Sequence, residues 1–295
     1  MIKNTKGILL AAGQGTRLMP ATLPLSKPLL PLYDKPMIYY PLETLVRLGI
    51  KEILFIIQES DVPIFQNTFG TGEELGLTFQ YEIQKVQRGI ADAYLIAKDF
   101  LGDSPSVLAL SDNIFLGEKY FEFANAALKK MQVLGGSVFG LSVPNPENFG
   151  VIELNSDNKI IGIEEKPLMP KSNFIIPGLY FFDGEATELA KQLKPSQRGE
   201  LEITDLIQIY LDQGRLDLQI LDNSIQWHDT GNAEAMLNAS IKVKTYEKEN
   251  NTKIGSYEIA AYEMGLINKE QLLKVAKKYI KSDYGQFIIN YLDAN

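Results

Sequence analysis

The sequence contains no cysteine and only one histidine among 295 residues. The absence of cysteine excludes disulfides, thiolate ligands and a thiol nucleophile, and fits a reducing compartment. A serine–histidine–aspartate relay would have to use His228, which directly precedes Asp229. In an extended segment neighbouring side chains face opposite ways, so we read His228 as a packing or supporting residue. Long apolar runs are also missing: none approaches the ~20 residues that span a bilayer. Lys3 and Lys6 precede the run ILLAA at residues 8–12, which falls short of the ~7–15 residues of a secretion-signal core. The expectation is a cytoplasmic protein without a membrane partner. Basic charge is in deficit as well, with 29 Lys and Arg against 37 Asp and Glu, a net charge of −8. Such a surface does not attract nucleic acid, so any anion site must be local.

What is present supports a large core. Hydrophobic residues make up 45% of the chain. Residues 8–12, 53–57 and 107–110 are short apolar runs suited to buried strands. Residues 37–48 carry helical spacing closed by Gly49, and Thr78–Ile83 and residues 91–101 continue the strand–helix alternation. This predicts an α/β fold, a doubly wound, mixed and mostly parallel sheet. Residues 137–182 turn strand-rich, and the chain after Asn232 is largely helical. No Gly/Ser linker or repeat divides it, so one domain is expected, with parts at 1–136, 137–231 and 232–295.

Chemistry concentrates after the first strand. Gly13 and Gly15 flank Gln14, so backbone N–H groups can be exposed without side chains in the way, and Thr16, Arg17 and Lys27 follow. We read this as a triphosphate cradle. A dinucleotide fingerprint would need a small residue where Leu18 stands, and a Walker loop would need Gly before Lys where Ser26 stands. Asp112 ends another apolar strand and Asp229 ends a second extended run beside Gly231. Two hard oxygen donors suit Mg²⁺, which takes one or two carboxylates plus substrate phosphates, although Asp112 could instead cap a turn. Glu200, Glu202 and Asp205 open a helix that Thr204 could cap, and could serve only to compensate its dipole.

The segments LAAGQGTRL at 10–18 and KPLLP at 27–31 resemble the signature of the sugar-phosphate nucleotidyltransferases. YDKPMIYY at 33–40, EEKP at 164–167, RGELEITD at 198–205, WHDTG at 227–231 and YGQ at 284–286 resemble the branch that joins glucose-1-phosphate to dTTP. The resemblance implies a Rossmann-like nucleotidyltransferase fold with a strand-rich sugar-binding insertion. It also implies the substrates dTTP and glucose-1-phosphate, a Mg²⁺ cofactor held by Asp112 and Asp229, a homotetramer, and dTDP-glucose as product. The catalytic residues implied are Arg17, Lys27 and Lys166. Gly13, Gln14, Gly15, Thr16, Arg17, Gln84, Gly89 and Asp112 would bind the nucleotide, and Gly150, Glu165, Lys166 and Gly178 the sugar phosphate. Pro28 and Asp92 stand where that pattern has Gln, and residues 254–263 depart from its regulatory residues. A uridylyltransferase and a non-catalytic sugar-nucleotide sensor remain rival readings, while Leu18 disfavours a nicotinamide oxidoreductase.

Overall fold

The computed structural model describes residues 4–294, beginning with β1 (Lys6–Leu10), the small hairpin β2 (Pro31–Leu32) and β3 (Lys35–Pro36), and helix α1 (Tyr39–Arg47). There follow β4 (Glu52–Ile57), α2 (Val62–Phe69), β5 (Thr78–Ile83), α3 (Asp92–Ile96), α4 (Lys98–Leu101), β6 (Ser106–Leu110) and β7 (Asn113–Leu116). The middle of the chain forms α5 (Tyr120–Leu134), β8 (Gly136–Ser142), β9 (Gly150–Leu154), β10 (Ile160–Glu165), β11 (Phe174–Ile175) and β12 (Leu179–Phe182). Next come α6 (Ala186–Ala190), α7 (Ile203–Asp212), β13 (Leu216–Ile220) and β14 (Gln226–Asp229). Helices α8 (Ala233–Asn250), α9 (Tyr257–Glu263), α10 (Lys269–Lys278) and α11 (Asp283–Ala294) complete it. Residues 91–101, expected as one helix, form two short ones meeting at Ala97.

Strand alternation sets the layers. Leu9, Ile53, Phe55, Ile57, Val107 and Ala109 join a core with α1, α2, α5, α9, α10 and α11. Their neighbours Ile8, Leu54, Ile56 and Leu108 join a second core with α3, α4, α6 and α7. Successive side chains on a strand point to opposite faces, so continuous apolar runs require helices on both sides. This is the doubly wound arrangement expected from the sequence.

The main sheet runs β10-β9-β11-β8-β12-β6-β1-β4-β5, with β13 added beside β8. It is mixed. Parallel pairing unites β6, β1, β4 and β5, whereas β12 joins β6 and β8 antiparallel and the pairings of β11, β9 and β10 are antiparallel too. The expected mostly parallel character therefore belongs to the first half. The strand-rich segment, expected as an insertion on the sheet, extends that sheet edge to edge through β12. Outside it, β7 and β14 form a two-stranded antiparallel ribbon, covered by α8 through a core of Leu32, Met37, Tyr40, Ile114, Leu116, Ala239 and Val243. Asn232 caps α8 by accepting from the Ala235 N–H (2.9 Å), which satisfies a donor otherwise orphaned at the helix start. Among the described residues no helix is long and apolar enough to cross a membrane.

The C-terminal helices are fastened to the N-terminal hairpin through buried charge. Lys35 Nζ lies 3.1 Å from Glu247 Oε1 and 2.5 Å from Asp34 Oδ1, and Lys253 bridges the same two carboxylates. The Gly255 N–H donates to Glu43 Oε2 (2.5 Å). Deeper still, the Tyr284 hydroxyl donates to Glu258 Oε2 (2.5 Å), while Glu258 Oε1 is buried without a partner among the described residues. Burial raises the Glu258 carboxyl from 4.5 to about 7, with Tyr284 and Lys35 opposing and Glu43 assisting the rise. The folded state thus holds this proton more tightly than the unfolded chain. Its contribution is full below pH 4.5, falls as pH rises through 7, and is lost above that. Glu258→Gln keeps the neutral form at every pH. It should melt higher than the parent at pH 8.5, by on the order of 5 °C, with the difference closing towards pH 5. Equal melting temperatures across that range, followed by circular dichroism, would remove this group from the pH dependence.

Candidate active site

The glycine loop leaves the carboxyl edge of β1, where the Ala11 N–H still donates to Ile56 O (2.8 Å) before the chain turns into solvent. Gly15 has φ 61, and a Cβ there would stand 2.9 Å from Thr22 Cγ2 and 3.0 Å from Lys27 Cβ. Only glycine fits that position. Gly13 differs: a Cβ would meet nothing within 4 Å and its φ is not positive, so the conformational need expected of both glycines belongs to Gly15 alone. A short helical turn, Thr16–Leu18, buries Leu18 and leaves Thr16 and Arg17 outside. Arg17 reaches a segment far along the chain: a Cβ on Gly231 would lie 3.1 Å from Arg17 Nη2 and 2.9 Å from Asp229 Oδ2.

Asp112 sits in the turn between β6 and β7. The register of β7 with β14 pairs Asn113 with Asp229, which brings the two acidic residues together. Asp112 Oδ2 accepts from Lys27 Nζ (2.5 Å), and Oδ1 accepts from Asn113 Nδ2 (2.9 Å). The Thr230 hydroxyl donates to the Asp112 carbonyl (3.1 Å). Asn113 Oδ1 in turn accepts from the Gly178 N–H (2.8 Å) and Trp227 Nε1 (2.7 Å), so one side chain locks three segments. The Asp229 carboxyl is pushed up first by burial and then by the charge of Asp112, with Lys27, Arg17 and Lys166 opposing. Two mutually repelling carboxylates, ringed by cations, form a donor set that fits Mg²⁺.

Across the cavity, Glu165 ends β10. Its Oε2 accepts from the Thr204 hydroxyl (3.0 Å) and its Oε1 lies 3.6 Å from Arg198 Nη1 and 3.7 Å from Lys166 Nζ. Burial raises the Glu165 carboxyl, the nearby cations opposing. Thr204 therefore does not cap α7: the cap position is Glu202, with no side-chain cap bond, and the threonine hydroxyl is spent on Glu165. A Cβ on Gly150 would lie 2.7 Å from Thr204 Cγ2, so glycine is needed for that approach. On Gly178 it would lie 2.6 Å from Leu110 and 2.8 Å from Asn113 Cγ. Lys166 has φ 44, a left-handed conformation uncommon for a lysine. Glu200 and Glu202 pair with Arg198, and Asp205 lies in the first turn of α7, the charge-compensating alternative.

Arg17, Asp112, Gly150, Glu165, Lys166, Gly178 and Asp229 line one cavity of about 390 Å³. Lys27 stands behind it on Asp112. Gln14 and Gln84 line a second cavity of about 550 Å³, with Gln58 and Gln87. Gly89 has φ 97 and a Cβ there would meet Leu201 O at 2.4 Å, so it packs its loop against Leu201. Asn113, Trp227, Thr204 and Tyr180 line the first cavity too. No motif in the sequence marks Asn113 or Trp227 as a site residue, although Asn113 follows Asp112 and Trp227 lies at alternate spacing from Asp229. His228 Nε2 is buried without a partner among the described residues, and burial lowers the imidazole's pKa, as suits packing.

The family model described as nucleotidyl transferase matches residues 6–246. The chain is 43% identical over 289 residues to the glucose-1-phosphate thymidylyltransferase of Mycolicibacterium smegmatis, covering 98% of this chain and 99% of that one. It is 44% identical over 287 residues to the enzyme of that name from Neisseria meningitidis, covering 97% and 99%. A crystallised Bacillus anthracis chain described as a glucose-1-phosphate thymidylyltransferase, in complex with a sucrose, superposes with TM-score 0.74 at 36% identity, over 81% of this chain and 94% of that one. A UDP-glucose pyrophosphorylase shares the fold, with TM-score 0.71 at 22% identity over 83% and 99%. With a matched model spanning most of the chain and relatives aligned nearly end to end, this chain belongs to the nucleotidyl transferase family.

Proposed function

We propose that this chain is a glucose-1-phosphate thymidylyltransferase, which transfers a thymidylyl group from dTTP to glucose-1-phosphate and releases pyrophosphate. The observation that carries the reading is the single cavity of about 390 Å³ whose lining brings together the cations Arg17 and Lys166 and the carboxylates Asp112 and Asp229. A site built from opposed cations and carboxylates suits the joining of two phosphate-bearing substrates. The names of the end-to-end relatives support the choice of substrates.

The chemistry needs no general base. A sugar phosphate oxygen is already anionic at neutral pH; it attacks the α-phosphorus, and the bond to the pyrophosphate oxygen breaks. Catalysis then rests on aligning anionic groups that repel one another and on stabilising charge that shifts onto the leaving group. Arg17, at the end of the glycine loop, holds the leaving phosphates by its planar fork. Lys27 holds Asp112 in place and reaches towards the triphosphate. Lys166 seats the sugar phosphate, and Glu165 accepts from sugar hydroxyls with Thr204 and Arg198 fixing its orientation. Asp112 and Asp229 would hold Mg²⁺, which when bound supplies neutralisation of phosphate charge.

Pyrophosphate release with glucose-1-phosphate and Mg²⁺, measured for dTTP, UTP, CTP, ATP and GTP as specificity constants, tests the reading. We expect dTTP to exceed ATP and GTP, with UTP the strongest competitor; a purine preference, or no release with any pair, would reject it. Asp112→Asn and Asp229→Asn should each lower kcat by about 100-fold or more while shifting the melting temperature little, since volume is kept and a ligand charge is lost. Normal turnover of both at limiting Mg²⁺ would dismiss the two-carboxylate site. Arg17→Lys should cost roughly tenfold or more in kcat/KM, because one ammonium cannot reproduce a bidentate fork; unaltered kinetics at saturating and subsaturating dTTP would refute that contact.

A further inference from the structure

The second cavity holds an arrangement that the transfer chemistry does not use. Gln84 directly follows β5, and its backbone N–H donates to Ile57 O (3.0 Å), continuing the parallel ladder to the carboxyl edge of the sheet. Its side chain is largely buried, and Nε2 donates to Asp92 Oδ2 (3.1 Å). Asp92, at the start of α3 and 1% exposed, also accepts from Arg88 Nη2 at Oδ1 (2.7 Å). Two further glutamines of the wall, Gln58 and Gln87, spend their Nε2 atoms on the carbonyls of Gly13 (3.2 Å) and Ala12 (2.6 Å). They pin the glycine loop to the cavity. Gln84 Oε1 takes part in no hydrogen bond among the described residues, and it is not sealed in the interior.

A carboxylate only accepts hydrogen bonds, whereas an amide offers two N–H donors at one end and an acceptor at the other. Asp92 therefore fixes which end of the Gln84 amide faces inward: Nε2 must turn to the carboxylate, and the amide cannot flip. What remains for a ligand is Oε1 as acceptor and the second Nε2–H as donor, in a fixed order. Arg88 holds the second Asp92 oxygen, so the carboxylate cannot swing away.

We propose that Asp92, clamped by Arg88, is a positioning residue that locks the Gln84 amide to read a base edge carrying a ring N–H beside a carbonyl. This inference rests on the nucleotidyl-transfer reading above and adds the order in which the base is recognised. The imide edge of thymine or uracil matches: its ring N–H donates to Oε1 and its carbonyl accepts from Nε2–H. Cytosine presents the opposite order, an unprotonated ring nitrogen beside an amino group. It sets acceptor against acceptor and donor against donor, at a cost of about 1–3 kcal/mol per mismatched bidentate pair. The two pyrimidines have nearly the same shape, so the discrimination reports amide orientation rather than fit.

The test compares dTTP with dCTP, each with glucose-1-phosphate and Mg²⁺, for the full-length parent, Asp92→Asn and Arg88→Met. Asparagine keeps the volume of Asp92 but can donate as well as accept, so the Gln84 amide is free to flip. The dTTP-to-dCTP ratio of kcat/KM should fall at least tenfold in Asp92→Asn, with KM for dTTP rising and kcat at saturation changing less than threefold. The Arg88 side chain is 56% exposed, so Arg88→Met tests the clamp even if the buried substitution fails to fold; its ratio should fall about threefold. A parent-like ratio in a folded Asp92→Asn protein, or in Arg88→Met should the first not fold, would overturn the clamp, as would a proportional loss of kcat with both nucleotides. Absence of pyrophosphate release by the parent with either nucleotide would instead defeat the nucleotidyl-transfer reading.

Discussion

The pairing of β14 with β7 is the constraint on which the candidate site depends. Asp229 is remote in sequence from Asp112, yet the antiparallel register sets it opposite Asn113. A slip of one residue would turn Asp229 away and bring His228 forward, because side chains alternate along a strand. Several contacts fix that register. Asn113 Oδ1 binds Trp227 Nε1 and the Gly178 N–H, Thr230 binds the carbonyl of Asp112, and α8 covers the ribbon with apolar side chains. The register is held by backbone, side chain and core together.

Bringing two carboxylates into a partly buried space is costly, of order several kcal/mol for each ion taken from water. The chain offsets this with cations from separate elements: Lys27 on Asp112, Arg17 beside Asp229, and Lys166 across the cavity. The same device recurs away from the site, where Lys35 and Lys253 neutralise Asp34 and Glu247 and tie the C-terminal helices to the hairpin. The net acidic surface and the local basic site are thus compatible. Arg17, Lys27 and Lys166 supply the positive charge at the site.

Close backbone approach is the second recurring device. Gly15 lets the loop close on Thr22 and Lys27, Gly150 admits Thr204 to Glu165, and Gly178 lies against Leu110 and Asn113. Of the three, Gly178 sits where the two halves of the sheet meet, beside the pairing of β12 with β6. Gly150 and Gly178 therefore have a packing reason for their identity, beside the contact to sugar phosphate proposed for them.

The doubly wound first half is legible in the sequence, because continuous apolar runs at β1, β4 and β6 can be buried only between two helical layers. Gly15, Arg17 and Lys27 mark the loop as a candidate anion cradle, and Asp112 and Asp229 stand out as carboxylates at the ends of extended runs. The rest is set by contacts between segments far apart in the chain. That the strand-rich middle continues the main sheet depends on the pairing of β12 with β6, a contact between distant segments that local pattern does not encode. Thr204 reads as a helix cap until Glu165 arrives to take its hydroxyl, and the pairing of the Gln84 amide with Asp92 is likewise set by the fold. Local propensity reports what a side chain can do; the partner that selects one of those options comes from elsewhere in the chain, and only the fold supplies it.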